Sequence, residues 1–598
     1  MSNSASLECY WNIVDAIVKS RGRETQRYHY FEELWRAIKD SHENRLIILQ
    51  APTGAGKTEA ALAPFLRDLI NSERRWHSLL YVLPTRSLVF NMFHRICKTL
   101  NACDESFKVS RVIVDYDYGG FTPFKAFLEG DITITTYDTL AYTFYGFRSY
   151  GHHLLLSAGK IAGSLIILDE VQLLQDSQWY SLTLLPYHIA NLLIFGATVI
   201  LMTATLPKIL IKEICKALEV PALRWNIRQP HVHISADPSK NVIMRGKLDI
   251  SIKNGRLLDH VPKIAKDYEK PLLLVFNTVE RAAKAYRFLV NNYYDDVKLL
   301  HSRLISKERK LREEFFEKRP PSSDLIVVAT QVVEAGVDYD FKMVATEISP
   351  IDSLIQRLGR AARRSNGEAI VYADHKQAEH VYPQRVIEET IKAIDANLLA
   401  ESIRNVLAAS DLINSVYREE TVEELRNEGR EELKETLSFV KTFSDKIFYS
   451  RNLIEDKALS LLRLGVEIRC ILLPQNIYQK ILRDLEATRG ETYTSFPLNR
   501  AMDLLIKNNL SLSIRRLQRN LEVPALKHKI GEGEFYLTIF PSVRVKDEHE
   551  MVFEVNKYND LFTALKSNSW RISSLFVINP SYYLIERNYH LGLVKPYE

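Results

Sequence analysis

The chain is predicted to form two tandem α/β domains with parallel sheets, followed by a mixed, partly helical C-terminal accessory domain. Short apolar runs recur in two parts of the sequence: RLIILQ, SLLYVLP, RVIVDY, DITITT, SLIILDE and TVILMTAT between residues 45 and 205, then PLLLVFN, VKLLH, DLIVVAT, MVATEI and GEAIVYA between 271 and 373. Such uninterrupted runs are typical of strands buried on both faces of a parallel sheet. Helix-length segments lie between them, for example 59–71, 86–100 and 279–291, and this alternation favours doubly wound α/β domains.

The predicted domain boundaries follow changes in the sequence pattern. Residues 1–222 contain the first set of runs, and residues 223–375 contain the second set. Past Asp374 the chain becomes charged with apolar residues at helical spacing, as in REETVEELRNEGREELKETLSFVKTF, which is typical of amphipathic solvated helices. From about residue 470, strands such as EFYLTIFPSVRV mix with helices and no catalytic motif is found. Residues 376–598 are therefore interpreted as linker helices and an accessory domain.

The composition is that of a globular protein, with 46% hydrophobic residues, 26% charged residues and a net charge of +5. This charge is too small to indicate a nucleic-acid partner by itself. The five cysteines form no Cys-x-x-Cys pair, which argues against a zinc ribbon and fits a reducing cytoplasm.

The N-terminus lacks a signal-peptide pattern. The apolar stretch 182–202 contains Pro186, His188, Asn191 and Gly196, so it is interpreted as helix, turn and buried strand rather than as a membrane span.

The segment APTGAGKT at residues 51–58 has the sequence context of a phosphate-binding loop, because it follows the run RLIILQ and precedes the helical segment EAALAPFLRDLI. Glycines let successive backbone N–H groups face phosphate oxygens, and the lysine reaches the β and γ phosphates. The threonine hydroxyl is suited to bind Mg²⁺. A chance glycine-rich turn is disfavoured by the order of strand, loop and helix. The residues assigned to ATP are Thr53, Gly54, Ala55, Gly56, Lys57 and Thr58, and Thr58 is also assigned to the metal.

An acidic pair ends the buried run LIILDEVQ at residues 165–172. Asp169 is suited to the Mg²⁺ shell, and Glu170 is the candidate to orient and deprotonate the attacking water. An Asp-Glu pair after a strand is more often a helix cap than a catalytic dyad. Only its partnership with the phosphate loop favours the catalytic interpretation.

Two arginines in QRLGRAARR, at residues 356–364, are candidates to stabilise phosphoryl transfer. Arg360 and Arg363 are three residues apart and therefore share a helix face. Charge on the transferred phosphoryl group calls for a guanidinium from across a cleft. A solvated arginine-rich face is the favoured interpretation of this segment taken alone, and the two linked domains favour the catalytic one.

These motifs resemble those of the superfamily 2 helicases and occur in the same order. The matching segments are APTGAGKT for motif I, LPTRSL (83–88) for Ia, ITTYDTL (134–140) for Ib, DEVQ for II, TAT (203–205) for III, LVFNTVERA (274–282) for IV, ATQVVEAGVD (329–338) for V and QRLGRAAR for VI. The resemblance implies two RecA-like domains that bind ATP and Mg²⁺ and an ATPase that is stimulated by nucleic acid.

Longer segments resemble the CRISPR-associated helicases that act as effector motors of type I systems. They are YDTLAYTFYGFRSYGHHLLLSAGKIAGSLIILDEVQ, WYSLTLLPYHIANLLIFGATVILMTATLP, ATQVVEAGVDYD and the terminal YYLIERNYHLGL. The resemblance implies single-stranded DNA as the track, travel from 3′ to 5′, and a C-terminal domain over the strand channel. It also implies an RNA-guided CRISPR surveillance complex as the partner.

The sequence departs from that family in two ways. Many members end motif II in His, whereas this chain has Gln172, which can still form hydrogen bonds between the ATP site and motif III but does not titrate. Members often carry a fused metal-dependent nuclease with a His-Asp dipeptide, and this sequence contains none. With only about fifty residues before the phosphate loop, the expectation is a stand-alone helicase whose HD-type nuclease is a separate subunit.

The same resemblance assigns nucleic-acid contacts to both α/β domains, because a motor needs a grip on each side of the cleft. The assigned residues are Arg86, Thr136 and Tyr137 in the first domain and His301, Arg303 and Thr330 in the second. For His301 and Arg303 an ordinary polar loop is nearly as good an interpretation.

An aromatic cluster after motif Ib has the composition of a base-stacking platform. It comprises Tyr137, Tyr142, Phe144, Tyr145, Phe147 and Tyr150, interleaved with Arg148, His152 and His153. Packing in the core is favoured over stacking, because aromatic residues on a helix after a strand are more often buried.

Two other functions stay open at this point. One is a superfamily 2 helicase in DNA repair or RNA remodelling. The other is a nucleic-acid-binding module that has lost catalysis, against which the intact Lys57, Asp169, Glu170, Arg360 and Arg363 argue.

Overall fold

The structure is a computed structural model of the chain. It describes residues 3–20, 24–39, 46–52, 54–71, 73, 75–107, 112–117, 128, 130–145, 159–174, 179–219, 231–236, 246–292, 294, 296–318, 324–334, 339–361, 365–427, 430–442, 466–488, 492–514, 522–531, 533–542, 550–568, 574–586 and 589–594.

The chain forms two compact units, each made of two separate stretches of sequence. Unit 1 comprises Met1–Asn254 and Ile348–Leu462, and unit 2 comprises Gly255–Glu347 and Arg463–Glu598. These boundaries do not coincide with the predicted ones. In particular, the predicted region 376–598 is divided between the two units.

The first stretch of unit 1 alternates helices and strands. Its helices are α1 (Asn3–Lys19), α2 (His29–Lys39), α3 (Lys57–Ile70), α4 (Arg86–Phe107), α5 (Tyr137–Phe144), α6 (Tyr180–Ile194) and α7 (Lys208–Ala217). Its strands are β1 (Leu46–Gln50), β2 (Leu79–Leu83), β3 (Val114–Asp117), β4 (Ile132–Thr136), β5 (Leu165–Leu168), β6 (Thr198–Thr203), β7 (His231–Ser235) and β8 (Leu248–Lys253).

Strands β1 to β7 form one sheet in the order β3-β4-β2-β5-β6-β1-β7, and every neighbouring pair is parallel. All residues of β1, β2, β4, β5 and β6 are buried, which explains their uninterrupted apolar sequences. The predicted parallel-sheet α/β domain is therefore confirmed. The stretch 182–202 is also confirmed as helix, turn and buried strand, because it spans α6 and β6.

The N-terminal helices pack aromatic side chains against each other on this domain. The rings of Tyr10 and Trp35 stack at 5.2 Å between centroids, and those of Trp11 and Phe31 stack at 5.4 Å. All four side chains belong to the same buried cluster as residues of α3 and of β1. This packing brings α2 to the phosphate loop.

Unit 2 begins with the second α/β segment. Its elements are α8 (Leu257–Asp267), β9 (Leu272–Val275), α9 (Val279–Asn291), β10 (Val297–Leu300), α10 (Ser306–Lys318), β11 (Ile326–Ala329) and β12 (Met343–Glu347). Strands β10, β11, β9 and β12 lie in this order, and their neighbouring pairs are parallel. All residues of β9, β11 and β12 are buried. The predicted second parallel sheet is thus confirmed.

The second stretch of unit 1 is mostly helical. Its elements are α11 (Ile351–Leu358), β13 (Gly367–Tyr372), α12 (Gln384–Ala393), α13 (Ala396–Arg404), α14 (Val406–Val416), α15 (Glu419–Asn427) and α16 (Arg430–Thr442). Strand β13 pairs with β8 in parallel. Helix α11 contacts α13 and α14, and α16 contacts α6.

The second stretch of unit 2 contains the later part of the predicted accessory region 376–598, the part in which strands mix with helices. Its elements are β14 (Val466–Ile471), α17 (Gln475–Thr488), β15 (Thr492–Pro497), α18 (Leu498–Lys507), β16 (Asn509–Ile514), β17 (Lys527–Ile530), β18 (Gly533–Ser542), β19 (Glu550–Tyr558), α19 (Leu561–Asn568), β20 (Leu575–Val577), β21 (Tyr583–Glu586) and β22 (Tyr589–Leu593). One sheet has the order β15-β19-β18-β20-β14-β16, with β17 paired to β18, and it is antiparallel except between β14 and β20. Strands β21 and β22 form a separate antiparallel hairpin. Among the described residues, no helix combines the length and apolarity that crossing a membrane requires.

Candidate active site

The phosphate loop lies between β1 and α3, at the carboxyl edge of the first sheet. Gly54 has a φ of +84° and Gly56 a φ of +86°, in the region of backbone space that favours glycine. Successive N–H groups in such a turn converge and form an anion-binding concavity. Helix α3 begins at Lys57, so its positive N-terminal end adds to the same field. Thr53 lies outside the described residues.

Lys57 is buried with its ammonium group against the loop. Its Nζ donates to the carbonyl oxygens of Ala51 and Pro52, at 2.8 and 3.2 Å. The Ala51 N–H in turn donates to the Thr203 carbonyl oxygen at 3.2 Å, which ties the loop to the end of β6. The cation is therefore held beside the backbone groups that would surround phosphate.

Helix α2 contacts the loop through two aromatic side chains that the sequence did not single out. The Tyr30 hydroxyl donates to the Ala55 carbonyl oxygen, and both residues are buried. A Cβ on Gly56 would lie 2.9 Å from Cζ of Phe31. The run YHYFEELW shows that α2 has an apolar face, but nothing in it identifies the loop as the partner. The loop is thus shaped by a helix that precedes its strand.

Asp169 lies at the end of β5 in a buried hydrogen-bonded setting. Its Oδ2 accepts from the Tyr81 hydroxyl at 2.6 Å, and its Oδ1 accepts from the Glu170 N–H at 2.9 Å. Burial raises the pKa of the Asp169 carboxyl, and the nearby Glu170 charge adds to the increase. Tyr81 Oη is also 3.5 Å from Thr58 Oγ1. Tyr81 therefore connects the two residues predicted to bind Mg²⁺, a role that sequence reasoning missed.

Glu170, Gln172 and Thr203 form a chain of hydrogen bonds. Gln172 Nε2 donates to Glu170 Oε2 at 2.5 Å, and Gln172 Oε1 accepts from Thr203 Oγ1 at 2.6 Å. Glu170 has a φ of +53°, unusual for a residue with a side chain. Through these two hydrogen bonds the Gln172 side chain connects motif II to motif III.

The motif VI segment lies beside the phosphate loop within unit 1. A pocket is lined by Pro52, Ala204, Thr205, Ile355, Gln356, Gly359, Ser402, Ile403, Val406 and Ala409. Pro52 belongs to the phosphate loop, Thr205 to motif III and Gln356 to motif VI. Helix α11 ends at Leu358, so Arg360 lies after the helix and the prediction that it shares a helix face with Arg363 is wrong for Arg360. The Arg360 side chain is buried. Arg363 lies outside the described residues.

Residues past the predicted domain boundary hold the motif VI segment in place. The buried Arg357 guanidinium donates to the Tyr382 hydroxyl at 2.8 Å. The Tyr417 hydroxyl donates to Asp352 Oδ1 at 2.7 Å, and the Tyr417 ring lies 4.9 Å from that of Trp179. Residues assigned to an accessory region therefore contribute directly to the wall of the candidate site.

The predicted nucleic-acid contacts of the first domain lie at or near the starts of α4 and α5. Arg86 begins α4, and its side chain is outside the described part of the structure. Thr136 is the N-cap of α5, and its Oγ1 accepts from the Thr139 N–H at 3.2 Å. Tyr137 is buried, with its ring edge-on to that of His188 at 5.8 Å. In this structure Thr136 caps helix α5, and Tyr137 packs in the interior.

The predicted contacts of the second domain lie after β10 and β11. His301 is fully buried, and Thr330 is buried with its N–H donating to the Leu300 carbonyl oxygen at 3.1 Å. The Arg303 side chain is 37% exposed and its Nη1 lies 2.8 Å from Oε1 of Glu280. Among the three, Arg303 is the side chain that reaches solvent.

Three members of the aromatic cluster, Tyr137, Phe144 and Tyr145, are buried, and Tyr142 is partly buried. Tyr145 is fully buried, with its hydroxyl 2.6 Å from His188 Nδ1 and accepting from Asn191 Nδ2 at 3.1 Å. Its ring also lies 5.7 Å from that of Phe439 in α16. Phe147, Arg148, Tyr150, His152 and His153 lie outside the described residues. For Tyr145 the favoured interpretation, packing, matches the geometry.

Two family profiles match the chain. Residues 34–214 match the profile described as DEAD/DEAH box helicase. Residues 268–366 match the profile described as CRISPR-associated nuclease/helicase Cas3, C-terminal. The first profile covers the phosphate loop and the acidic pair, and the second covers motifs IV to VI.

Curated proteins with this pattern include several Cas3 helicases. The chain is 27% identical over 413 residues to the CRISPR-associated helicase Cas3 of Thermoproteus tenax, covering 67% of this chain and 68% of that protein. It is 25% identical over 511 residues to the CRISPR-associated nuclease/helicase Cas3 of Methanothermobacter thermautotrophicus, covering 76% of this chain and 57% of that protein. It is 27% identical over 379 residues to the CRISPR-associated endonuclease/helicase Cas3 of Escherichia coli, covering 53% of this chain and 40% of that protein. The chain thus spans about two thirds or less of these relatives.

Solved structures of Cas3 and of a CRISPR-associated protein share the fold. The crystal structure of T. fusca Cas3-ATP aligns with a TM-score of 0.54 at 16% identity, covering 76% of this chain and 60% of that one. A crystal structure described as a CRISPR-associated protein aligns with a TM-score of 0.58 at 16% identity, covering 87% and 69%. The profiles and the curated relatives confirm the predicted resemblance to the CRISPR-associated Cas3 helicases and support an ATP-dependent helicase domain in this chain. The solved structures show that the chain shares their fold.

Proposed function

We propose that this chain is an ATP-dependent translocase on single-stranded DNA and the motor of type I CRISPR interference, acting in the cytoplasm. The observation that carries the proposal is the hydrogen-bonded chain from Glu170 through Gln172 to Thr203. It links the candidate base for ATP hydrolysis to motif III, which lies at the end of β6. A motor needs such a link, because hydrolysis has to change contacts elsewhere in the molecule.

The loop and its neighbours fit ATP. The paired left-handed glycines, the N-terminus of α3 and the buried Lys57 ammonium all favour an anion at the same place. The backbone N–H groups and Lys57 would hold the phosphates, and the order of these groups matches the requirement of phosphoryl transfer.

Thr58 and Asp169 fit Mg²⁺. Burial works against the charged Asp169 carboxylate, as the direction of its pKa shift shows, and a divalent cation would favour the charged form. Bound Mg²⁺ would neutralise phosphate charge during transfer. The Tyr81 hydroxyl, within hydrogen-bonding distance of Asp169, would fix the direction of that carboxylate.

Hydrolysis requires a base and a counter-charge. Glu170 would take the proton of the water whose oxygen bonds to the γ phosphorus, while the bond between that phosphorus and the β,γ-bridging oxygen breaks. Gln172 holds the Glu170 carboxylate by donating to it. Arg360 and Arg363 would stabilise the charge that develops on the transferred group.

DNA cleavage is proposed to belong to a separate HD-type nuclease subunit. The sequence contains no His-Asp dipeptide, and within the described ranges no group of three or more His, Cys, Asp or Glu side chains is arranged to hold a metal. An RNA-guided surveillance complex is the proposed loading partner, and the proposed direction of travel is 3′ to 5′. A structure described as a CRISPR RNA-guided surveillance complex, pre-nicking, contains a chain that shares this fold with a TM-score of 0.53.

The motor proposal is tested by measuring ATP hydrolysis with single-stranded DNA, single-stranded RNA, duplex DNA or no nucleic acid. Single-stranded DNA should stimulate the wild type most, and Glu170→Gln should bind ATP but lose the stimulated rate by roughly a thousandfold. Greater stimulation by RNA would overturn the CRISPR assignment in favour of RNA remodelling.

The nuclease proposal has its own assay. Incubation of homogeneous protein with labelled single-stranded DNA and Mg²⁺, Mn²⁺ or Ni²⁺ should leave the DNA intact. Cleavage that persists in Lys57→Ala would show an intrinsic nuclease and contradict the separate-subunit proposal.

A further inference from the structure

The loop between β10 and α10, at residues 301–304, is in contact with the C-terminal hairpin formed by β21 and β22. The hairpin lies nearly 300 positions further along the chain, within the same compact unit. Two of the predicted nucleic-acid contacts, His301 and Arg303, belong to this loop. The hairpin therefore determines which side chains of the loop are accessible.

His301 is bonded on both ring nitrogens. Its Nε2 lies 2.8 Å from the Leu591 carbonyl oxygen, which can only accept, so Nε2 carries the proton. Its Nδ1 accepts from the Arg303 N–H at 3.1 Å. The imidazole is thus a neutral bridge from the hairpin backbone to the loop backbone, and it is fully buried.

A second group of contacts ties the hairpin to both ends of the loop. The Arg312 guanidinium donates to the carbonyl oxygens of Leu299 and His590, each at 2.6 Å. The same guanidinium lies 4.2 Å from the centre of the Tyr589 ring. The Tyr589 hydroxyl accepts from the Leu299 N–H at 2.9 Å, and the Tyr583 hydroxyl accepts from the Ile305 N–H at 3.2 Å. Residues on each side of the loop are therefore fixed by hairpin side chains.

The closest approach is at Gly592. The Leu593 N–H donates to the Arg303 carbonyl oxygen at 3.0 Å. Gly592 has a φ of +83°, and a Cβ there would lie 2.4 Å from the Arg303 carbonyl oxygen and 2.7 Å from Cε1 of His301. Any side chain at this position would push the loop away from the hairpin.

The part of the loop that remains accessible is Ser302 and the Arg303 side chain. The loop follows the carboxyl end of β10, next to Thr330 at the end of β11. Ligands of parallel sheets gather at this edge. A hydroxyl and a guanidinium there suit phosphate oxygens of a nucleic-acid strand.

We propose that the C-terminal hairpin is a positioning element for this loop, holding it in the shape in which Ser302 and Arg303 contact the phosphates of single-stranded DNA. The inference rests on the proposed function, since it assumes that the chain grips a DNA strand. In this arrangement His301 and Gly592 are positioning residues, and Arg303 is the side chain that contacts the strand.

The test compares Gly592→Ala with Gly531→Ala in the full-length protein. Gly531 lies in the turn after β17 with a φ of +60°, and a Cβ there would meet nothing within 4 Å. Both substitutions carry the backbone strain of a left-handed alanine, but only Gly592→Ala displaces the loop. The measured quantities are the oligo-dT concentration that gives half-maximal ATPase and the dependence of oligo-dT affinity on salt.

Gly592→Ala should raise the half-saturating oligo-dT concentration about tenfold, and the slope of log affinity against log salt should shrink by about 0.7, the value for one lost phosphate contact. Arg303→Gln should cause the same changes, and the double variant should be no worse than either single one. A purely structural defect would lower stability without changing the salt slope.

Three results would contradict the inference or the proposed function on which it rests. If Gly592→Ala behaves like Gly531→Ala in both measurements, the hairpin does not position the loop. If Gly592→Ala does not fold, as judged by thermal unfolding and by its ATPase rate without DNA, Tyr589→Phe takes its place, because it removes the hydroxyl that accepts from the Leu299 N–H. Its control is Tyr582→Phe, at a partly buried tyrosine directly before β21. Equal behaviour of these two variants overturns the inference. If oligo-dT does not stimulate the wild type at all, the proposed function fails instead.

Discussion

The hydroxyl of Thr203 donates to the side-chain carbonyl of Gln172, with 2.6 Å between the two oxygens. The other end of the Gln172 amide donates to Glu170, so motif III touches the candidate base through one side chain. Thr203→Val keeps the shape of the side chain and removes the donor. We expect the DNA-stimulated ATPase rate to fall about tenfold while KM for ATP changes much less, because the hydrogen bond positions a catalytic group and does not bind nucleotide.

The matched control for that variant is Thr198→Val at the other end of β6. Thr198 Oγ1 accepts a hydrogen bond from Trp76 Nε1 at 3.0 Å, so the control also removes a buried threonine hydroxyl from its partner. The Thr203 variant additionally removes the acceptor of the Thr205 N–H, a bond of 3.0 Å within motif III. Steady-state kinetics of both variants separates the two effects. Equal loss of stimulated rate in the two variants would mean that the Gln172 link has no special role.

The contact between α2 and the phosphate loop makes Gly56 less tolerant of substitution than Gly54. Both have a positive φ, but a Cβ on Gly56 meets Phe31, whereas a Cβ on Gly54 meets nothing within 4 Å. Gly56→Ala should therefore lower the thermal midpoint of the nucleotide-free protein more than Gly54→Ala, by the equivalent of about 1 to 3 kcal/mol. Adding Phe31→Leu should restore part of the difference, and no restoration would show that the Phe31 contact is not the cause.

Tyr145 is expected to act in stability and not in strand binding. Tyr145→Phe removes the hydroxyl partner of His188 Nδ1 and one of the two acceptors of Asn191 Nδ2, which keeps its bond to the Val440 carbonyl oxygen at 2.8 Å. The loss should cost about 1 to 3 kcal/mol. Tyr145→Ala adds a cavity, for a total of about 3 to 5 kcal/mol. Thermal unfolding should show the graded loss, while the affinity for single-stranded DNA measured well below the melting range stays unchanged. Weakened DNA binding in a stably folded Tyr145→Phe protein would restore the stacking interpretation.

Docking of the C-terminal hairpin should weaken in acid. Burial lowers the pKa of His301 from 6.5 to about 3, and the nearby Arg312, Arg303 and Arg309 charges act in the same direction. Because the folded pKa is the lower one, the unfolded state binds a proton first, so stability is lost as pH falls below 6.5 towards 3. Between pH 7.5 and 5.5 the wild type should lose about 1.4 kcal/mol more than His301→Asn, whose side chain does not titrate.

Hydrogen exchange of the amides in 299–305 and 589–593 measures this opening free energy directly. Rates are corrected for the intrinsic pH dependence of exchange. The same pH response in wild type and His301→Asn would show that His301 is not the titrating group.

Much of the architecture was predictable from local sequence. Buried strands of a parallel sheet need uninterrupted apolar runs, and β1, β2, β5 and β6 correspond to RLIILQ, SLLYVLP, SLIILDE and TVILMTAT. The residues after these runs meet at one edge because the strands are parallel and adjacent. This is why Lys57, Asp169 and the TAT segment could be assigned to one site before the structure was considered.

Partners that come from distant segments were not predictable. Nothing in YHYFEELW indicates that Tyr30 and Phe31 contact the phosphate loop, and nothing in the run SLLYVLP indicates that Tyr81 donates to Asp169. The same holds for Arg357 and Tyr382, which lie on either side of the predicted boundary at residue 375. These contacts depend on how whole helices and strands pack against each other, and the periodicity of the sequence carries no information about that packing.

The sequence by itself predicted the groups of a site for phosphoryl transfer: a phosphate-binding loop, an acidic pair and an arginine-rich segment, each encoded within a few neighbouring residues. The first two follow strands whose apolar pattern is local. Only the tertiary structure decided what those groups touch. The family resemblance assigned His301 to the nucleic acid, but the hairpin formed by β21 and β22 buries His301 and leaves the Arg303 side chain partly exposed. The physical reason is that burial and hydrogen-bond partners are set by segments nearly 300 residues apart, which come together only when the chain packs.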